Sequence, residues 1–215
     1  MVKDFNEVWH DFCQKNCQVF IKVSKRKVFG LNSKLTTRDL AYMAMAVALI
    51  AICSWISIPT TVPFTMQTFA VCLVSALLGT RRGFLAVACY LLLGAVGAPV
   101  FAGFKGGLGA LLGVTGGYLV GFLFTALIAG AGAELSGRKL AVTLGAMAAG
   151  VLLCYVFGTA WFMVAYAKNS GPIGVGTALA WCVLPYLLPD AVKITLAAVL
   201  ARRLYPLIDR KGRTE

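Results

Sequence analysis

Charge is missing from long stretches of this sequence. Residues 40–58, 60–80, 83–104, 106–133 and 140–167 hold no Lys, Arg, Asp or Glu, and run to 19, 21, 22, 28 and 28 residues. At about 1.5 Å per residue, about 20 residues of helix cross the hydrocarbon of a bilayer. A further apolar stretch, 169–201, is interrupted by Asp190 and Lys193 and by Pro185 and Pro189. Of the 215 residues, 60% are hydrophobic and 13% charged, against about 45–50% and about 25% in ordinary globular chains. A soluble core of this size cannot hide that surplus. The expected fold is an all-α membrane protein, a bundle of six transmembrane helices. The last helix is expected to be broken or to start near Pro189, after a loop or half-helix over 174–187. Residues 1–35 read as a basic N-terminal extension, 36–208 as the membrane domain and 209–215 as a tail.

The net charge of +12 sits at the rims. With six spans, seventeen Lys and Arg fall on one side: those before residue 40, Arg81 and Arg82, Arg138 and Lys139, and the C-terminal group. The other side has Lys105 and Lys168. The excess of basic residues marks the cytoplasmic side and places both termini there. A basic rim on an apolar body suits anionic lipid rather than nucleic acid. No cleavable signal is expected, because the first apolar run starts near Leu40. Phe5, Val8, Trp9 and Phe12 fall at helical spacing, which a short surface helix and a disordered tail accommodate equally.

Several chemistries are disfavoured. Seven cysteines without regular spacing make no disulfide framework. The one histidine, His10, and the pair Cys13 and Cys17 fall short of a zinc site. No phosphate-cradling Gly-Lys-Ser/Thr follows the glycines of 104–109, and no paired carboxylates lie within the spans. The expectation is no enzyme, no cofactor and no metal.

Asp190 and Lys193 are the exception. Three residues apart on a helix, they share a face. Ionisable groups inside a membrane are expensive unless they pair or line a cavity, so they mark functional sites by default. Pro189 fits a first helical turn, whose free amides would favour an anion at the same place. A structural ion pair, or Lys193 acting as an interfacial anchor, accounts for the same residues. Residues 60–67, Pro-stiffened and polar, read as a loop able to cap a cavity, and the segments 100–104 and 113–118 bracket a Gly-rich outer segment. The ten glycines between Gly103 and Gly132 suit either close ligand approach or ordinary helix packing.

These segments together resemble the BioY family, the biotin-specific substrate-binding (S) subunits of energy-coupling-factor (ECF) transporters. The carrying residues are Val62-Pro63-Phe64-Thr65-Met66-Gln67, Leu77-Leu78-Gly79-Thr80-Arg81-Arg82-Gly83, Pro99-Val100-Phe101-Ala102-Gly103, Gly106-Gly107-Leu108-Gly109, Thr115-Gly116-Gly117-Tyr118, and Pro189-Asp190 with Lys193. Val114 departs from the proline usual before Thr-Gly-Gly, and residues 1–35 extend beyond the usual start. The resemblance implies a multi-pass protein of the cytoplasmic membrane of a bacterium that captures biotin from outside. Its implied partners are a transmembrane coupling protein, two ATPase subunits that alone use ATP, and membrane lipid. It implies ligand contacts from Asp190, Lys193, Gln67, Thr65, Phe101, Gly103, Gly117 and Tyr118, and docking of the coupling protein on Ala44 and Ala48. Two alternatives stand beside it: an S subunit for another vitamin such as thiamine or riboflavin, and a self-sufficient secondary transporter, for which no inverted repeat is visible.

The charge bias makes a direct prediction. Single cysteines replacing Lys105 and Lys168 should react with an impermeant thiol reagent on intact cells, and cysteines replacing Arg81 and Arg138 should not. The reverse pattern would overturn the orientation.

Overall fold

A computed structural model describes residues 36–58, 63–171 and 174–210, so the extension 1–35 and the residues beyond 210 lie outside the described part. Helix α1 (Thr37–Trp55) starts with a reciprocal cap: the Asp39 amide donates to Thr36 Oγ1 at 3.4 Å, and the Thr36 amide to Asp39 Oδ2 at 3.2 Å. Met43, Ala46, Ile50 and Cys53 recur every three or four residues and turn one stripe inward. Two short strands, β1 (Ser57–Ile58) and β2 (Phe64–Thr65), pair antiparallel with Ser57 opposite Thr65. The sequence suggested only a loop there.

Helix α2 (Gln67–Val96) is continuous in its hydrogen bonding but not straight. Gly79 has φ 83° and ψ −178°, which is not helical. The Gln67 side-chain amide lies 3.0 Å from the Tyr90 hydroxyl. A straight helix would separate these residues by about 35 Å. A Cβ on Gly83 would likewise meet the Cα of Ser75. The chain therefore folds back at Gly79 into two antiparallel arms, 67–78 and 80–96. Five helical segments have the length and apolarity to cross a membrane: α1, α2, α4, α5 and the stretch Val175–Pro206. With α2 doubled back, the bundle has six rods.

The turn after the second arm leads through a 3₁₀ segment (Ala102–Phe104) and short α3 (Leu108–Leu112) to α4 (Gly116–Leu135). Helix α4 packs against both α2 and α5 (Leu140–Ser170). Small residues set that closeness, as the glycine pattern suggested. A Cβ on Gly121 would strike Cys154, one on Gly130 would strike Thr80, and one on Gly150 would press on Thr125. Short α6 (Val175–Cys182), the half-helix expected before the last span, precedes α7 (Leu184–Arg210). The last helix starts at Leu184, five residues upstream of Pro189, because the break falls at Val183.

One end of the bundle gathers the segments that carry the basic residues. Arg82 pairs with Asp39 at 3.1 Å. The Arg138 guanidinium donates to the carbonyls of Ala76 and Leu77 at 3.1 and 3.3 Å and lies 3.2 Å above the ring of Tyr205. Those carbonyls lie just before the turn at Gly79, so Arg138 pins the end of the first arm of α2. The Thr80 hydroxyl donates to Glu134 at 2.7 Å.

Gly79→Ala would introduce a Cβ at positive φ and into the carboxylate of Glu134. It should lower thermal stability in detergent, with backbone strain alone costing about 1–3 kcal/mol. Gly176→Ala meets open space in α6 and should leave the melting temperature within about a degree or raise it. Equal melting curves for the two variants would refute the hairpin geometry.

Candidate functional site

Asp190 and Lys193 lie on one face of α7, and each is only 5% exposed. Lys193 Nζ sits 2.8 Å from Asp190 Oδ1, donates to the backbone carbonyl of Thr65 at 2.7 Å, and stands 3.8 Å from the centre of the Phe64 ring. The other carboxylate oxygen of Asp190 accepts the hydroxyl proton of Tyr155, from α5. A buried pair survives only when its remaining valences are met. Here the strand β2, α5 and α7 meet them together.

Two neighbouring hollows lie on this side of the bundle, the smaller of them against the pair. The smaller, about 60 Å³, is lined by Asp190, Lys193, Tyr155, Cys154, Cys182 and Tyr186 among others. The larger, about 560 Å³, is lined by Gln67, Phe101, Lys105, Leu119 and the glycines 106, 109 and 113 among others. Pro63, Thr65, Tyr118 and Phe122 line both, so the two hollows adjoin along a shared wall. Apolar walls with few polar groups are what a small-molecule site requires.

The turn 97–107 forms the far wall, and it is tied down. The Val100 carbonyl accepts from Ser54 on α1 and from Tyr90 on α2, the latter at 3.0 Å. Trp55 donates its indole N–H to Pro99 and stacks on Phe104 at 5.0 Å. The Phe101 ring lies against Gly94, where a Cβ would collide with it, and meets Tyr90 edge-on. Trp161 of α5 donates to the Gly113 carbonyl at 3.0 Å.

Six of the eight candidate ligand residues line this cavity: Asp190, Lys193, Thr65, Gln67, Phe101 and Tyr118. The other two do not. Gly117 is buried against Trp161, where its missing side chain lets α4 approach α5. Gly103 takes φ +69° at the tip of the 101–105 turn, outside the wall. The expected anion-favouring helix start at Pro189 is also corrected. Asp190 lies in the second turn of α7, because the helix already starts at Leu184. Ala44 and Ala48 are exposed on α1.

Sequence reasoning passed over Tyr155, Phe64, Tyr90 and Lys105. Tyr155 and Tyr90 are aromatic residues in apolar stretches, and Phe64 lies in the 62–67 segment without a signal that sets it apart from its neighbours. Lys105 was counted only as a topology charge.

A bundle of membrane-length helices with a buried ion pair facing an interior cavity defines an integral membrane protein built to hold a small ligand. The chain belongs to the BioY family, whose sequence profile matches residues 25–210. The biotin transporter BioY of Thermotoga maritima is 40% identical over 171 residues, 79% of this chain and 97% of that protein. A probable biotin transporter BioY of Pyrococcus horikoshii is 36% identical over 79% of this chain and 98% of its own length. A crystal structure of the S-component for biotin from an ECF-type ABC transporter superposes with a TM-score of 0.70 at 28% identity, covering 80% of this chain and 94% of that one. The family consists of transport proteins, not enzymes.

Proposed function

We propose that the chain captures biotin as the S subunit of an ECF transporter and takes part in its uptake across the cytoplasmic membrane of a bacterium, with both termini inside. The observation that carries this reading is the buried Asp190–Lys193 pair at one end of the cavity, in a chain whose relatives bear the name of biotin transporters. A ureido ring offers two N–H donors and one carbonyl acceptor. Each oxygen of Asp190 already accepts one bond, and a carboxylate has about four acceptor sites, so capacity remains for the ureido N–H groups. Lys193 donates to a biotin oxygen. Thr65 stands beside them on the shared wall, and Gln67 lines the larger hollow.

The same geometry favours one rival. Both charges are satisfied without a ligand, by each other and by Tyr155 and Thr65, as a purely structural pair would be. The two readings separate in a mutant cycle. If the pair contacts ligand, Asp190→Asn and Lys193→Met each weaken biotin binding by about 10- to 100-fold, since a charged hydrogen bond contributes about 1.5–3 kcal/mol. The double variant stays weak. If the pair is structural, the double variant regains affinity because neither charge is left alone. Equilibrium binding of labelled biotin to purified, correctly folded protein decides between them. Excess thiamine and riboflavin should fail to compete; displacement by either would sink the biotin assignment.

Partner subunits follow from the same reading: a transmembrane coupling protein and two ATPases. We assign docking of the coupling protein to the exposed side of α1, where Ala44 and Ala48 share a face with Ala41 and Met45. Ala48→Trp should abolish cellular uptake while the isolated protein still binds biotin. Loss of binding as well would show that this face supports the fold instead.

A further inference from the structure

The outward side of α7 carries an apolar stripe with a charged head. Leu188, Val192, Leu196 and Val199 are exposed and recur every three or four residues, and Arg203 is the next step along the same line. From Val192 to Arg203 the helix rises about 17 Å, close to half of a hydrocarbon core about 30 Å thick. The stripe therefore has the depth of one leaflet. Arg202, also exposed, lies about 60° from Tyr205 round the helix, between that ring and the stripe.

A second basic element is fixed beside this head. The Arg138 guanidinium lies 3.2 Å above the ring of Tyr205 while it donates to the Ala76 and Leu77 carbonyls. The turn between α4 and α5 is thereby held against the end of α7. It takes a costly shape to do so: Gly137 has φ 58° and Arg138 φ 60°, the left-handed region that a non-glycine residue enters rarely. Lys139 follows directly and is exposed. Among the described side chains the acids at this end are Asp39, which pairs with Arg82, and Glu134, which accepts from Thr80. The side chains of Lys139, Arg202 and Arg203 have no hydrogen bond or ion pair among the described residues. Three cations from two helices thus share one end of an apolar stripe without a counter-charge.

We propose that Lys139, Arg202 and Arg203 form a headgroup site for an anionic phospholipid whose acyl chains run along Val199, Leu196 and Val192. The phosphodiester accepts from the arginines, whose forked donors suit its oxygens, and Lys139 adds a further charge. The stripe is what selects a lipid over a free phosphate, because a soluble anion meets the head alone. A zwitterionic lipid brings its own cation, which offsets the attraction. In the proposed orientation this end faces the inner leaflet, whose anionic lipids attract basic groups beside a span. The occupied site bridges the α4–α5 turn to α7. It lies apart from the ligand cavity and holds whatever that cavity binds.

The test titrates the purified full-length protein in detergent with phosphatidylglycerol or phosphatidylcholine of the same chains and reads the first lipid bound by native mass spectrometry. Each basic residue beside an anionic headgroup is worth about fivefold in affinity. Wild type should therefore prefer phosphatidylglycerol by about 100-fold. Arg202→Gln with Arg203→Gln should cut that preference by about 25-fold, and Lys139→Gln by about fivefold. Arg203→Lys should keep most of it. Lys3→Gln with Lys15→Gln, which removes as much charge from the N-terminal extension, should leave it unchanged. Glycerol phosphate, the soluble headgroup, should fail to displace the lipid. All variants should melt as wild type does in phosphatidylcholine, since the exchanged side chains are exposed or lie in the extension. A wild type without preference, or an R202Q/R203Q variant that keeps it, overturns the proposal. So does an equal loss in the extension variant, which would make the effect one of net charge alone. Displacement by glycerol phosphate at matched concentration overturns it too, because the stripe would then play no part.

Discussion

Hydrocarbon offers no hydrogen bonds, so every polar group carried into it must find a partner within the protein. Much of the side-chain chemistry described above answers that demand. Thr125 on α4 returns its hydroxyl to the carbonyl of Gly121 and reaches across to that of Gly150. Ser54 and Tyr90 converge on one carbonyl, that of Val100. Arg138 donates to two carbonyls at the end of the first α2 arm. The costliest groups, Asp190 and Lys193, draw in Tyr155 and the backbone of β2. Among the described residues the buried Thr143 hydroxyl has no partner, and nothing in the structure explains it.

That demand makes the site and the fold one object. The strand that accepts from Lys193 also lays Phe64 against the ammonium and stacks it on Tyr186. The ion pair therefore holds β2 against α7, although the two are 125 residues or more apart in sequence. The opposite wall is held in the same manner, by a turn whose carbonyls are owned by side chains of α1 and α2. A cavity between two surfaces fixed in this way keeps its shape without a ligand, which lowers the ordering cost of binding.

The sequence displayed some of this plainly and concealed the rest for physical reasons. Spans were legible because exclusion of charge is a compositional signal, and Asp190 and Lys193 stood out against the same background. The half-helix before the last span was legible from its prolines and glycines. The turn at Gly79 was placed at about the right position by Arg81 and Arg82, yet its sharpness depends on one backbone conformation that composition does not encode. Tyr155 was invisible because a tyrosine in a span is ordinary until a carboxylate is found opposite it. The roles of Gly103 and Gly117 were not legible because glycine serves turns, helix contacts and ligand approach alike. Only the contact that a Cβ would make separates these uses: Trp161 for Gly117, and almost nothing for Gly103.

The two arms of α2 and their neighbours are unequal in reach. The first arm, residues 67–78, rises about 18 Å, whereas the 31 residues of α5 rise about 46 Å. Hydrocarbon is about 30 Å thick. Above the short arm the remaining depth is filled by β2, the preceding strand and the turn 97–107, none of it regular helix. Irregular backbone at such depth is stable only where protein covers it or water reaches it. Beside the short arm the cavity is therefore bounded by backbone whose carbonyls are met by side chains of α1, α2 and α5 rather than by a helix ladder.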